Sequence, residues 1–374
     1  MSLAGRIILN GSFALTGAIT NLLGALLLAM IAHKGLSDAR AGRFFVAQFV
    51  LSAAGAASLG WIGKRLGPRV CLAGSYLTMG CAVIGLGVAG PGVALACAAC
   101  CGFAIGLNNP AANLIAARGS GTGGEAAALN LLSMCWSVGA VVAPPCLTYL
   151  VERAGPREVL AGLGCLAVLA ALFSLRMDAD AAWMPTKAAA GPVEFEVRRA
   201  AWLTGLFLFL YVGAESTCSG WLPTYSWRSM GFPARLAGFS QAAFWAAVLG
   251  GRLLISVRPA WASERQWIGC GLALAAAGIA LLVTGRGSAE ALAGALLAGA
   301  GMGPLFPTAL AVFQQRARDG STQLTGFIFA GAAFGGAVIP WLVGMLSSTT
   351  ESLRTALLVA LGAIGGMAVL ARRL

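Results

Sequence analysis

The chain has 374 residues, 59% hydrophobic and 10% charged, with a net charge of +12 and a mean hydropathy of +0.83. A soluble domain carries about 25% charged residues, so there is too little charge here to cover a water-facing surface. The basic residues sit singly or in small groups between apolar runs, which points to membrane topology and away from a nucleic-acid-binding face.

Apolar runs of about 20 residues recur from end to end, each long enough for a bilayer core. They lack the short alternating strands of an outer-membrane barrel. The pattern predicts an all-α polytopic membrane protein with twelve transmembrane helices, at 8–32, 42–63, 69–89, 92–117, 125–150, 157–175, 200–226, 235–257, 265–284, 288–314, 321–347 and 351–371. The first run is long enough to span and has no small-residue cleavage site, so it reads as a helix and not as a signal peptide.

Neutral amides mark the first half: Asn21 in the first span, Gln48 in the second, the pair Asn108 and Asn109 in the fourth, and Asn130 in the fifth. An amide both donates and accepts, which suits a hydroxyl-bearing ligand. Each is equally readable as a hydrogen bond between helices. Adjacent helical residues point about 100° apart, so at most one of Asn108 and Asn109 faces a cavity squarely, and Asn109 is the candidate. Trp136 in the fifth span is a candidate platform for the C–H face of a solute. Cys97, Cys100 and Cys101 form a small-residue stripe with no His or carboxylate nearby, and no metal site or cofactor is expected.

The stretch Arg176–Arg199 is charged and contains prolines. It predicts a linker, 176–199, between a bundle at 1–175 and another at 200–374. The seventh span then presents "LFLYVGAESTCSGWLPTY", Leu208 to Tyr225. Glu215 is the only acid well inside a predicted span. A charged side chain at the bilayer centre costs roughly 2.5–3.5 kcal/mol on insertion scales and is a functional candidate by default. It is suited to take up a proton on one side and release it on the other, or to bind solute directly. The plainer alternative is a structural acid bonded to a neighbouring helix. Gly220 and Pro223 bracket Trp221 and predict a helix break, beyond which Trp221 and Tyr225 could close over a ligand. The eighth span adds Gln241, Trp245 and Arg252, and the tenth adds Phe306. Arg252, near the inner end of its helix, reads as a gate residue or as a side chain snorkelling to the interface.

An even number of spans puts both termini on one side. That side collects sixteen Lys and Arg against nine on the other, so the positive-inside rule makes it cytoplasmic. The halves also repeat: Gly102, Gly106 and Pro110 map onto Gly299, Gly303 and Pro307 at an offset of 197, and the same offset maps "GAVV" at Gly139 onto "GAVI" at Gly336. Parallel six-helix repeats are the plan of the major facilitator fold.

The stretch "GWIGKRLGPR", Gly60 to Arg69, resembles the cytoplasmic signature of the major facilitator superfamily, Gly-x-x-x-Asp-Arg-x-Gly-Arg-Arg. Gly60, Arg65, Gly67 and Arg69 match; Lys64 replaces the Asp and Pro68 an Arg. The resemblance gives Arg65 and Arg69 a gating role. Within the superfamily, "YVGAE" with Trp221 and Tyr225, "FWAAVLGGRLL", "GPLFPTALA" and "FGGAVIPWLVG" are similar to the seventh, eighth, tenth and eleventh helices of the fucose–proton symporter and glucose/galactose transporter family. The acids that family carries in its first and fourth helices are replaced here by Asn21, Asn108 and Asn109, and Ser133 and Trp136 stand where its fifth helix has Gln and Asn.

The resemblance implies a monomeric secondary transporter in which the halves rock around a midplane site. It implies a monosaccharide or similar solute and proton symport through Glu215, with an uncoupled facilitator or exporter of another small molecule as the alternative. Ala- and Gly-rich composition with Arg over Lys points to a GC-rich bacterium, hence an inner membrane. No nucleotide-binding motif suggests direct ATP drive, and no nucleophile–base pair suggests an enzyme.

Overall fold

The structure, a computed structural model, describes residues 1–119, 125–177, 195–256, 263–317 and 322–373; the centre of the expected linker, 178–194, lies outside the described residues. The elements in chain order among the described residues are α1 (Leu3–Thr20), α2 (Leu22–Lys34), α3 (Asp38–Val88), α4 (Pro91–Gly119), α5 (Glu125–Ala154), α6 (Pro156–Ser174), α7 (Phe195–Ser229), α8 (Gly238–Ser256), α9 (Glu264–Thr284), α10 (Ser288–Met302), α11 (Leu305–Ala317), α12 (Thr322–Thr350), α13 (Leu353–Ala356) and α14 (Leu358–Ala371), with a 3-10 turn at Ala234–Leu236 before α8.

Eleven stretches among the described residues are long and apolar enough to cross a membrane. One of them, α3, holds two crossings. Its 51 residues would make a straight helix about 76 Å long, more than twice a ~30 Å hydrocarbon core. The chain breaks at Gly67, where φ is 78° and ψ 160°. Glycine reaches that backbone conformation without a Cβ clash, and Pro68 follows where a helix start tolerates its missing N–H. The expected twelve crossings result.

Three spans are built from two helical pieces. The first breaks at Asn21, the tenth at Gly303–Pro304 and the last at Leu357. The seventh does not break. Its helix runs unbroken through Gly220 and Pro223 to Ser229, which corrects the expected hinge. Gly220 makes room instead: a Cβ there would lie 2.3 Å from Cζ of Phe45.

The chain divides into two compact units, Met1–Ala29 with Ala47–Pro185, and Met30–Val46 with Thr186–Leu374. In the first, α1 packs on α4, α5 and α6, and α5 on α4 and α6. In the second, α7 packs on α8, α11, α12 and α14, while α10 packs on α8 and α9, and α9 on α14. Between membrane helices the hydrophobic effect offers little, so close backbone approach through small residues carries the packing. The repeated glycines do this in both units. A Cβ on Gly102 would lie 2.1 Å from the Gln48 carbonyl oxygen, and one on Gly106 would lie 1.9 Å from that of Ser52. In the second unit the same two positions behave alike: a Cβ on Gly299 would lie 2.2 Å from the Phe244 carbonyl oxygen and one on Gly303 2.6 Å from that of Val248.

Candidate functional site

Glu215 lies on α7 one helical turn after Tyr211, and the i, i+4 spacing puts both on one face. The Tyr211 hydroxyl donates to Glu215 Oε1 at 2.6 Å. Arg252 reaches the same oxygen from α8, with Nη2 at 3.5 Å. The Glu215 side chain is 13% exposed and that of Arg252 34%. The carboxylate is therefore nearly enclosed, while the guanidinium keeps an open side. Phe306 on α11 stacks obliquely on Tyr211, centroids 5.7 Å apart, and Phe329 on α12 continues the aromatic wall 5.8 Å further. Of the residues expected to bind or gate, the structure brings Glu215, Arg252 and Phe306 together. It adds Tyr211, whose signal in the sequence is its position four residues before the acid.

Chemically, this is an acid whose charge is matched by a cation and a phenol, next to an apolar wall. A proton on Glu215 removes the charge that holds Arg252. The guanidinium, with five donors and no acceptor, is then available to a ligand oxygen.

The other candidates on α8 share the face of Arg252, at intervals of four and seven residues. Gln241 is buried, and Trp245 is buried edge-on against Phe244 at 5.6 Å. Trp221 and Tyr225 are fully buried. The Trp221 indole N–H donates to the Pro340 carbonyl at 3.1 Å, its ring packs on Phe45 at 5.9 Å, and the Tyr225 hydroxyl donates to the Leu282 carbonyl. In this structure both side chains bind α7 to its neighbours, each donor satisfied by a backbone carbonyl.

In the first unit, Asn21 sits at the break between α1 and α2 and donates to Gly17 O at 2.9 Å. Gln48 donates to the adjacent carbonyl of Thr20 at 3.3 Å. The two amides thus bond carbonyls of the last turn before a helix break; that of Gly17 also keeps the Asn21 backbone N–H at 3.3 Å. Asn108 is fully buried and belongs to a network: it donates to Ser75 Oγ at 2.8 Å and accepts from Thr16 Oγ1 at 3.1 Å, and Thr16 also bonds Tyr76 at 3.0 Å. Asn109, half-buried, has a buried Oδ1 that accepts no hydrogen bond among the described residues. Asn130 is exposed, and Trp136 is half-buried with its carbonyl against Gly17. Of the signature residues, Arg65 is exposed and stacks over Trp61 at 4.1 Å, and Arg69 is half-buried.

A second polar cluster was not anticipated. Asp38, in the first turn of α3, is 6% exposed. Its Oδ2 accepts from Arg228 Nη1 of α7 at 2.7 Å and from Ser347 Oγ of α12 at 2.6 Å. Beside it the Ala39 N–H donates to Ser348 Oγ at 2.8 Å. The only hint in the sequence is an acid at a helix start, where the helix dipole favours negative charge.

Solved structures share this fold. A mutant of the nucleoside transporter NupG is 14% identical, with a TM-score of 0.80 over 99% of this chain and 98% of that one. A bacterial homologue of the human lysosomal transporter Spinster, inward-facing and unoccupied, is 16% identical with a TM-score of 0.77 over 100% and 96%. A mutant of the peptide transporter POT is 13% identical with a TM-score of 0.82 over 99% and 94%. At these identities the likeness is one of fold. No curated protein matches by sequence. The Major Facilitator Superfamily pattern matches residues 8–340, and with twelve apolar crossings, a glycine-turned loop at Gly67 and doubled glycine packing, the chain belongs to the major facilitator superfamily of membrane transporters.

Proposed function

We propose that this transporter moves a monosaccharide or similar small polar solute by alternating access, with proton coupling through Glu215. The proposal takes 1–175 and 200–374 as the two six-helix bundles, the termini as cytoplasmic, the membrane as a bacterial inner membrane, and the acting unit as a monomer. The observation that carries it is the cluster of Glu215, Tyr211 and Arg252 beside the rings of Phe306 and Phe329. Sugar sites combine a few fixed polar groups with an aromatic wall, and both are present. The likeness of the seventh, eighth, tenth and eleventh spans to the fucose–proton symporter family supports the solute class.

Coupling follows from the competition for Glu215 Oε1. Uptake of a proton dissolves the pair with Arg252, and the guanidinium turns to solute hydroxyls. Loss of the proton restores the pair and expels the solute. The ion pair also supports a second reading, an uncoupled facilitator or exporter: a carboxylate already neutralised by Arg252 needs no proton to sit in the membrane.

Counterflow of labelled monosaccharides in proteoliposomes, with and without an inside-alkaline pH gradient, separates the two. For a symporter, Glu215→Gln keeps counterflow and loses gradient-driven accumulation. Full accumulation by Glu215→Gln would sink the coupling role.

A further inference from the structure

A groove of about 780 Å³ lies in the second unit between α9 and α14, away from the Glu215 cluster. Its walls are two facing stripes, Gly269 and Ala273 on α9, and Gly365 and Ala368 on α14, over a buried floor of Leu272 and Ile364. Its volume lies within the roughly 300–1,000 Å³ typical of ligand clefts. At one end stand Arg265 and Arg372, which also line it. Both are exposed, and neither pairs with a carboxylate among the described residues. Arg265 opens α9 and Arg372 follows the last turn of α14, so the antiparallel helices bring both cations to the same mouth.

The dimensions select a ligand. From Arg265 to Ala276 the groove follows eleven residues of helix, about 16 Å. That is close to half of a ~30 Å hydrocarbon core, the depth of one leaflet. A slot that is apolar for one leaflet and ends in two cations fits a molecule with an acyl chain and an anionic head. Basic pockets between membrane helices are known to take such headgroups. We propose that the α9–α14 groove is a binding site for one anionic phospholipid, its chain along Gly269, Ala273, Gly365 and Ala368 and its phosphate held by Arg265 and Arg372. Gly269 and Gly365 keep the slot open, because a Cβ on either would meet no atom within 4 Å. Neither is needed for helix packing, so their absent side chains leave space for the lipid.

The test uses the full purified chain and does not depend on transport. Native mass spectrometry in detergent would follow retention of dioleoylphosphatidylglycerol, dioleoylphosphatidylcholine or inorganic phosphate. The expected result is one phosphatidylglycerol per chain, retained at least tenfold better than phosphatidylcholine, and no protection by phosphate. Arg265→Gln with Arg372→Gln should bring the two lipids to parity, a loss of roughly thirtyfold for two interfacial arginines. Gly269→Leu with Gly365→Leu, which fills open space, should remove the retained lipid while leaving the melting temperature of the lipid-free protein unchanged. Equal retention of the two lipids by the wild type would overturn the proposal. So would full phosphatidylglycerol binding by either variant pair, or a dimer that the leucine pair disrupts.

Discussion

The Asp38 cluster gives a perturbation whose size can be worked out. Asp38→Asn keeps the shape and removes the charge. Two charge-assisted bonds, from Arg228 at 2.7 Å and Ser347 at 2.6 Å, become neutral or are lost. A hydrogen bond to a charged group contributes about 1.5–3 kcal/mol, against about 1 for a neutral one. In addition, Asp38 Oδ1 is buried and has no partner among the described residues. An asparagine that keeps its oxygen toward Arg228 places a donor there with nothing to receive it, which costs another 1 kcal/mol or more. Because Arg228 is one-third exposed, water recovers part of its loss. The net expectation is about 2 kcal/mol.

That free energy acts on a particular contact, the seating of residues 30–46 against α7 and α12. At 1.4 kcal/mol per tenfold, 2 kcal/mol raises the unseated population roughly thirtyfold. Ala41 is fully buried in the seated form. On a background with the native exposed cysteines replaced, Ala41→Cys should react with a membrane-impermeant maleimide about thirty times faster when Asp38→Asn is added. Arg228→Met should do the same, and the double variant should fall short of the sum by at least about 1 kcal/mol, as expected for contacting residues. Additivity within 0.5 kcal/mol, with unchanged labelling, would refute the reasoning.

Three further outcomes are expected. Tyr211→Phe removes one donor from Glu215 and should lower the melting free energy by about 1 kcal/mol and shift the pH profile of uptake, whereas a purely structural tyrosine would leave that profile in place. Asn108→Leu leaves Thr16 and Ser75 without their buried partner and should destabilise the first unit by about 2–3 kcal/mol, read as a fall in thermal stability that Asn108→Gln does not repair because the longer side chain has no room at a fully buried site. Gly335→Val should abolish folded expression, since even a Cβ would lie 1.8 Å from the Phe209 carbonyl oxygen, while Gly362→Val, facing open space, should express normally.

The crossings were legible because bilayer thickness imposes a length on apolar runs that no tertiary contact overrides. The break between the second and third spans was legible on the same ground of length, and the structure places it at Gly67, before Pro68. Partners across helices were not legible. Arg252 lies 37 residues from Glu215, and whether it faces a gate, the lipid or an acid depends on the rotation of α8 about its axis, which apolar neighbours on all sides do not reveal. Gly220 shows a different limit. A glycine before a proline suits a hinge and suits a close approach equally well, and the choice is made by Phe45, remote in sequence. Asp38 fell between two expected spans, where an acid is ordinarily solvated; the helix starts at Asp38 itself and buries it.

The internal repeat shows what sequence offsets measure. At the glycines of the fourth and tenth spans the offset is 197, yet their partners Gln48 and Ser52 recur as Phe244 and Val248, at 196. Gly139, matched to Gly336 by letters, has its packing counterpart at Gly335: a Cβ on Gly139 would meet the Ala14 carbonyl oxygen, and one on Gly335 that of Phe209, each at 1.8 Å. The offset changes by one residue from helix to helix, so the length changes fall in the connections, where chains tolerate them. Within each helix the glycine stays against a carbonyl because a displacement of one residue would turn it about 100° away and set a side chain in the contact. What the two halves preserve is the pairing of a bare Cα with a neighbouring backbone; the polar residues differ between them, amides at Asn21, Gln48 and Asn108 in the first and the Glu215–Arg252 pair in the second, without disturbing that packing.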